Sequence, residues 1–254
     1  MVRVNMLRGS LLAVALLLPA CGGGGGGGAM PSAPGGGGGS QQQTSATGTF
    51  QVAVSTSPLT YGALGSAQVV FSCGCSAQAG TTSTDSSGNY TLSATSPATP
   101  TVPNPTYTLT GGRNYVVVGT DGTGTQAWTV QFVGNSPATD LSLGNSDATT
   151  AAAALYVFYY STTGDLAFDN WNYNTIAAWA SVLRSNPNAA EAKLIADVDA
   201  AQVAHTSLWP SAPSWNTSQS TNTTIAGDLG GVKAAADPAL PTPCPSGCTG
   251  TPTP

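Results

Sequence analysis

The sequence predicts an α+β protein: an antiparallel β-sandwich over residues 48–143, followed by a small group of amphipathic helices over 144–206. Two observations carry this. From Gly48 to about Leu143, apolar residues alternate with polar ones in short runs rich in Val, Thr and Tyr, the pattern of strands with one buried face. Beyond Gly144 the apolar spacing changes to three and four residues, the period of a helix face.

In the first strand, Phe50, Val52 and Val54 alternate with Gln51, Ala53 and Ser55. Val69, Phe71, Cys73 and Cys75 share a face of the next. Tyr90 and Leu92, Tyr107 and Leu109, Tyr115 to Val118, and Trp128, Val130 and Phe132 continue the series. Turns are expected at Ser87-Gly88-Asn89, Gly111-Gly112 and Asp121-Gly122, and an extended loop through Pro97, Pro100, Pro103 and Pro105. Ser- and Thr-rich outer faces fit sheets wet on one side.

Ser146 or Asp147 is placed to cap a helix running past Leu155, Phe158 and Tyr159. A second spans Asn174 to Leu183, with Ile176, Trp179 and Leu183 on one face. Asn186-Pro187 reads as cap and first residue of a third helix ending near His205. Its buried stripe is Leu194, Val198 and Ala201, with Glu191, Asp197 and Asp199 facing water. Three short helices bury little alone, so they are expected to pack on the sandwich at a sheet edge. Residues 207–254 read as an irregular, Pro/Thr-rich tail, with a weak helix at Ile225 to Ala236 interrupted by Gly227, Gly230 and Gly231.

The N-terminal 47 residues follow different rules. Arg3 and Arg8 precede an apolar run, Leu11 to Leu18, which suits the hydrophobic region of an export signal and is too short to span a bilayer. Leu18-Pro19-Ala20-Cys21 resembles the lipobox of bacterial lipoproteins. That resemblance implies removal of residues 1–20 and acylation of Cys21, palmitate included, which gives stable anchoring where one chain would be marginal. Gly22 stands where that family carries Asp in proteins retained at the inner membrane, so outer membrane or cell surface is the expected location. Residues 21–47, rich in Gly, Gln and Ser, read as a tether of roughly 30 Å as a coil. Its glycine runs lack the strand, helix and Lys of a phosphate loop.

Charged residues make up only 7 % of the chain. Without Arg3 and Arg8, four basic residues face eleven acidic ones, a net charge of −7. Arg113, Arg184, Lys193 and Lys233 cannot build a basic patch, which argues against nucleic acid and against electrostatic binding to anionic lipid. The expected partners are the membrane, through the lipid, and an envelope protein or glycan.

Setting Cys21 aside leaves Cys73, Cys75, Cys244 and Cys248, an even number that suggests disulfides in an exported protein. Two local loops or bonds from the 73/75 pair to the tail are both open. Zinc is the weaker reading, because the spacings are not two Cys-x-x-Cys pairs.

Thr84-Asp85-Ser86-Ser87-Gly88-Asn89-Tyr90-Thr91-Leu92 resembles the Thr-Asp-x-x-Gly-x-aromatic hairpin of carboxypeptidase regulatory-like, transthyretin-like sandwich domains. Gly65 to Phe71 would supply the strand before it. The resemblance implies that Asp85 caps the turn, Gly88 takes positive φ, Tyr90 plugs the core, and the domain is a non-catalytic scaffold for display or binding.

Little in the sequence carries chemistry, and no cofactor is expected. His205, the single histidine, sits at a helix end, where a cation offsets the dipole. Asp165 and Asp169, near Trp171 and Tyr173, form the best glycosidase-like pair, against a cheaper reading as turn and cap residues. Asp197 and Asp199 form a second pair. Asp85, Asp121 and Asp140 lie near strand ends but lack the loop of a calcium site. Trp209 and Trp215 are the candidate ligand-stacking residues, with core filling as the alternative. A non-catalytic module is the favoured reading over a secreted, carbohydrate-active hydrolase.

Overall fold

A computed structural model describes residues 45–72, 78–93, 111–134, 139–162, 171–209 and 222–244. Its elements are β1 (Ser45–Thr49), β2 (Gln51–Thr56), β3 (Leu59–Ala63), β4 (Gln68–Ser72), β5 (Gln78–Ser83), β6 (Asn89–Ser93), β7 (Arg113–Thr120), β8 (Gln126–Val133) and β9 (Leu141–Ser142), then α1 (Ala148–Thr162), α2 (Tyr173–Ser185), α3 (Ala189–Val203) and α4 (Thr223–Ala235). The architecture is mixed α and antiparallel β.

Five strands form one sheet in the order β5-β4-β7-β8-β9, while β1 pairs with β6 and β2 with β3. Alternation along β4, β7 and β8 divides the core in two. Val70, Val116, Val118, Trp128, Val130 and Phe132 join the cluster that contains the helices. Val69, Phe71, Tyr115, Val117, Ala127 and Val133 join the second, with Phe50, Val52, Leu64 and Tyr90. Every residue of β8 is buried, so this strand has no wet face, contrary to the sequence expectation. The reason is the helical layer: α1 lies against β8, so the helices cover a sheet face rather than an edge.

The first ribbon departs from simple alternation. Register shifts between Ala53 and Ser55 where β2 meets β3, and Val54, expected beside Phe50 and Val52, is 57 % exposed. An extra residue in one strand re-aims its side chains.

The Thr84–Leu92 motif keeps its expected turn chemistry. Asp85 Oδ1 accepts from the backbone N–H of Ser87 and Asn89 at 2.8 and 2.9 Å. Gly88 has φ +80°, and Tyr90 is buried between Phe50 and Phe71. The turn does not close a hairpin, however: β5 pairs with β4 and β6 with β1. It carries the chain from the five-stranded sheet to the β1–β6 ribbon. Gly48, opposite Tyr90, makes room for that ring, because a Cβ there would meet its hydroxyl at 2.3 Å.

Asp147, one of the two expected caps of α1, accepts from the N–H of Thr149 and Thr150. The cap of α3 is Asn188, two residues beyond the expected Asn186, in a reciprocal capping box with Glu191. Glu191 and Asp199, expected to face water, are 0 % and 5 % exposed. In the stretch read as an irregular tail, α4 packs against α3 despite its three glycines, and Pro243 bridges to Trp171. β1 begins inside the expected tether, whose residues 21–44 lie outside the described residues. Among the described residues no helix is long and apolar enough to cross a membrane.

Candidate functional site

Several sequence candidates become structural. Trp209 is 1 % exposed and packs edge-on against Trp128 and Phe158, with ring centroids 6.3 and 5.2 Å away. It fills the core beneath α1 and offers no ring face to a ligand. Trp171 and Tyr173, expected in loops, are likewise buried. Trp215, Asp165, Asp169, Cys21, Cys73, Cys75 and Cys248 lie outside the described residues. Cys244 is disulfide-bonded.

Each described carboxylate has a local task. Asp85, Asp121 and Asp140 accept backbone N–H groups of separate turns, Asp147 and Glu191 serve helix starts, and Asp237 accepts from Ala239 N–H. Asp197 and Asp228 hold Lys193 at 2.6 and 2.5 Å, and Asp199 accepts from the Tyr61 hydroxyl at 2.9 Å. Among the described residues no group of three or more His, Cys, Asp or Glu side chains could hold a metal ion.

His205 is the exception. Where α3 ends, His205 takes φ +52°, its N–H bonds to the Gln202 carbonyl, and Thr206 N–H bonds to the Ala201 carbonyl. This is the left-handed closure that usually employs glycine. It swings the imidazole onto the β7–β8 turn, where Nδ1 lies 2.7 Å from Thr125 Oγ1 and 3.1 Å from Thr123 Oγ1. Thr123 Oγ1 is 2.9 Å from Thr125 Oγ1 and donates to Asp121 Oδ1 at 2.7 Å.

Only one set of donors satisfies these contacts. A carboxylate only accepts, so Thr123 spends its hydrogen on Asp121. Thr125 must then donate to Thr123, and His205 Nδ1–H must donate to Thr125. In this chain of bonds Nδ1 of the imidazole carries a hydrogen. Partial burial works to raise the Asp121 carboxyl. Hydrogen bonds from the Thr123 hydroxyl and the Thr123, Thr125 and Gly124 backbone outweigh it, and hold the group below the usual carboxylate range.

Asp121, Thr125, Gln202 and His205 line, with Val52, Leu64 and others, a cavity of about 240 Å³. Gln202 is tied at both ends, accepting from Ala53 N–H and donating to the Gln126 carbonyl, each at 2.9 Å. Sequence reasoning singled out His205 and Asp121 separately but missed Thr123, Thr125 and Gln202. The Asp121-Gly-Thr-Gly-Thr125 turn is a local signal for the hydroxyl pair; its meeting with His205, 80 residues on, is not. Comparison with protein-family models, curated proteins and solved structures finds no match to this chain.

Proposed function

We propose that this chain is an exported lipoprotein, held to the cell envelope by acyl chains on Cys21, whose folded body is a non-catalytic structural or binding module. In this reading residues 1–20 are the signal, residues 21–47 the tether, and the strands form a β-sandwich backed by helices. Its partners are the membrane, through the lipid, and an envelope protein or glycan.

The observation that carries the non-catalytic part is the employment of the carboxylates. Every one among the described residues serves a turn, a helix start, a tyrosine or the Lys193 pair, which supports a structural use of these carboxylates; Asp165 and Asp169 lie outside the described residues. The anchoring part rests on Leu18-Pro19-Ala20-Cys21 following a short apolar run. Growth with labelled palmitate tests it. The wild type should carry label in the membrane fraction, and Cys21→Ala should carry none; equal labelling of both would refute acylation at this sulfur.

A further inference from the structure

The ribbon of β2 and β3 has one sealed edge and one bare edge. Leu64 N–H donates to the Phe50 carbonyl, and the ladder continues through Gln51↔Ala63, Val52↔Gly62 and Ala53↔Tyr61. Bonded and open pairs alternate in an antiparallel ladder, so Gly62 points its backbone groups at β2, whereas Tyr61 and Ala63 point theirs away. Their partners Ala53 and Gln51 also point outward, on the other edge, and both are met. Gln51 N–H donates to the Ser146 carbonyl and Ala53 N–H to the Gln202 side chain. Among the described residues β3 has no strand neighbour but β2. The outward N–H and C=O groups of Leu59, Tyr61 and Ala63 are therefore open to a further strand.

Folded proteins normally blunt such an edge with charge, with proline or with a covering element. Here Pro58 precedes the strand rather than interrupting it, and no charged residue occurs from Ser45 to Thr84. The exposed large apolar side chains among the described residues are Val54, Leu59 and Tyr61, all on this ribbon. Leu59 and Tyr61, two residues apart, share a face of β3, and the Tyr61 hydroxyl is anchored on Asp199 at 2.9 Å. An anchored ring loses little freedom when it is covered.

Charge and register both select the occupant. A two-fold contact sets each charged group of a strand against its own kind, and this strand has none to oppose, on a chain of formal net charge −5. A partner recruited by charge would find no complementary group along the edge. An antiparallel copy of β3 puts the two-fold axis beside Tyr61, so that Tyr61 faces its own equivalent and Leu59 faces Ala63 of the second copy, large against small. The three facing pairs supply about six backbone hydrogen bonds. We infer that two copies of this chain associate edge to edge through β3, forming one continuous antiparallel ribbon in the order β2-β3-β3-β2. The inference goes beyond the proposed function and does not depend on the lipid.

The test uses the full chain with Cys21→Ala, so that no acyl group at that sulfur can gather copies. Sedimentation from about 1 µM to about 1 mM should show the mass doubling toward the upper end, because one strand edge buries less than a standard interface. Residue-resolved amide exchange over the same range should slow about tenfold at Tyr61 and Ala63 and stay unchanged at Gly62, which is already bonded to β2. Ala63→Pro removes an outward N–H and no bond within the ribbon, and should weaken association about tenfold or more. The exchange measurement needs no change at the edge, so it decides the matter even where the proline variant unfolds. A single mass at every concentration would overturn the inference and leave the edge to another extended chain. A dimer whose Tyr61 and Ala63 amides exchange as before, one that a folded Ala63→Pro chain forms equally well, or assembly beyond two copies would overturn it too.

Discussion

A carboxylate with no exposed surface needs hydrogen bonds to offset its desolvation, and Glu191 has them on both oxygens. Oε1 accepts from Trp179 Nε1 and Oε2 from Asn188 N–H, each at 2.8 Å, so one side chain closes the start of α3 and locks it to α2. Glu191→Ala strands both donors and should cost about 3 kcal/mol in chemical denaturation. Glu191→Gln, which keeps one acceptor, should cost less. Asp199 has the opposite balance. Burial pushes its carboxyl above the usual range, the Tyr61 hydroxyl pulls it back in part, and the charge on Asp147 adds to the rise. A raised carboxyl favours the fold when protonated, so its contribution is full in acid and is lost as pH rises through the raised value. Asp199→Asn, which can still accept from Tyr61, should therefore melt higher than the wild type at neutral pH. The gain should vanish near pH 4, at about the ordinary carboxylate value. A gain that grew toward acid would contradict this assignment.

At the scale of elements, the turn at Asp85–Asn89 joins two different sheets, and its backbone geometry is demanding. Gly88 holds φ +80°, and a Cβ there would come within 2.4 Å of the Phe50 carbonyl oxygen, which accepts the Leu64 N–H. Gly88→Ala should lose about 1–2 kcal/mol to the left-handed conformation alone, and more to that contact; thermal unfolding measures it. An unchanged midpoint would mean the turn is not held as described. The turn itself was legible in sequence because Asp, Gly and the aromatic act within five residues of one another. The strands it joins were not, because pairing of β5 with β4 and of β6 with β1 is decided by partners distant in the chain. Helices α1 and α2 were legible for the same local reason: cap and apolar period lie in one window. In α3 the window misled twice. Asn188 displaced Asn186 as the cap, and Glu191 and Asp199 point inward because the neighbouring Trp179 and Tyr61 supply donors that no spacing reveals.

The whole molecule is organised by a sheet whose central strands are covered on both faces, one by helices and the other by the ribbons that carry Phe50, Val52 and Tyr90. Alternation in β8 located Trp128, Val130 and Phe132, the set that faces the helices, but not Ala127 and Val133 on the second face, which was expected to be wet. A strand buried on both sides keeps polar residues inside when they find partners, as Gln131 does with the Thr47 carbonyl and Gln126 with the backbone of Leu208 and Trp209. Trp209 was legible as a large aromatic in an irregular stretch, but its place beneath α1 depends on those Gln126 bonds. The His205 relay was hidden in the same way, by a turn and a helix end that meet only in the folded chain. The functional account joins this body to a membrane through Cys21. Mass spectrometry of the mature N-terminus, taken from fractionated cells, tests that claim most directly. The account predicts a membrane-bound chain beginning at Cys21 with acyl groups attached. A chain in the culture fluid with an unmodified Cys21 would contradict it.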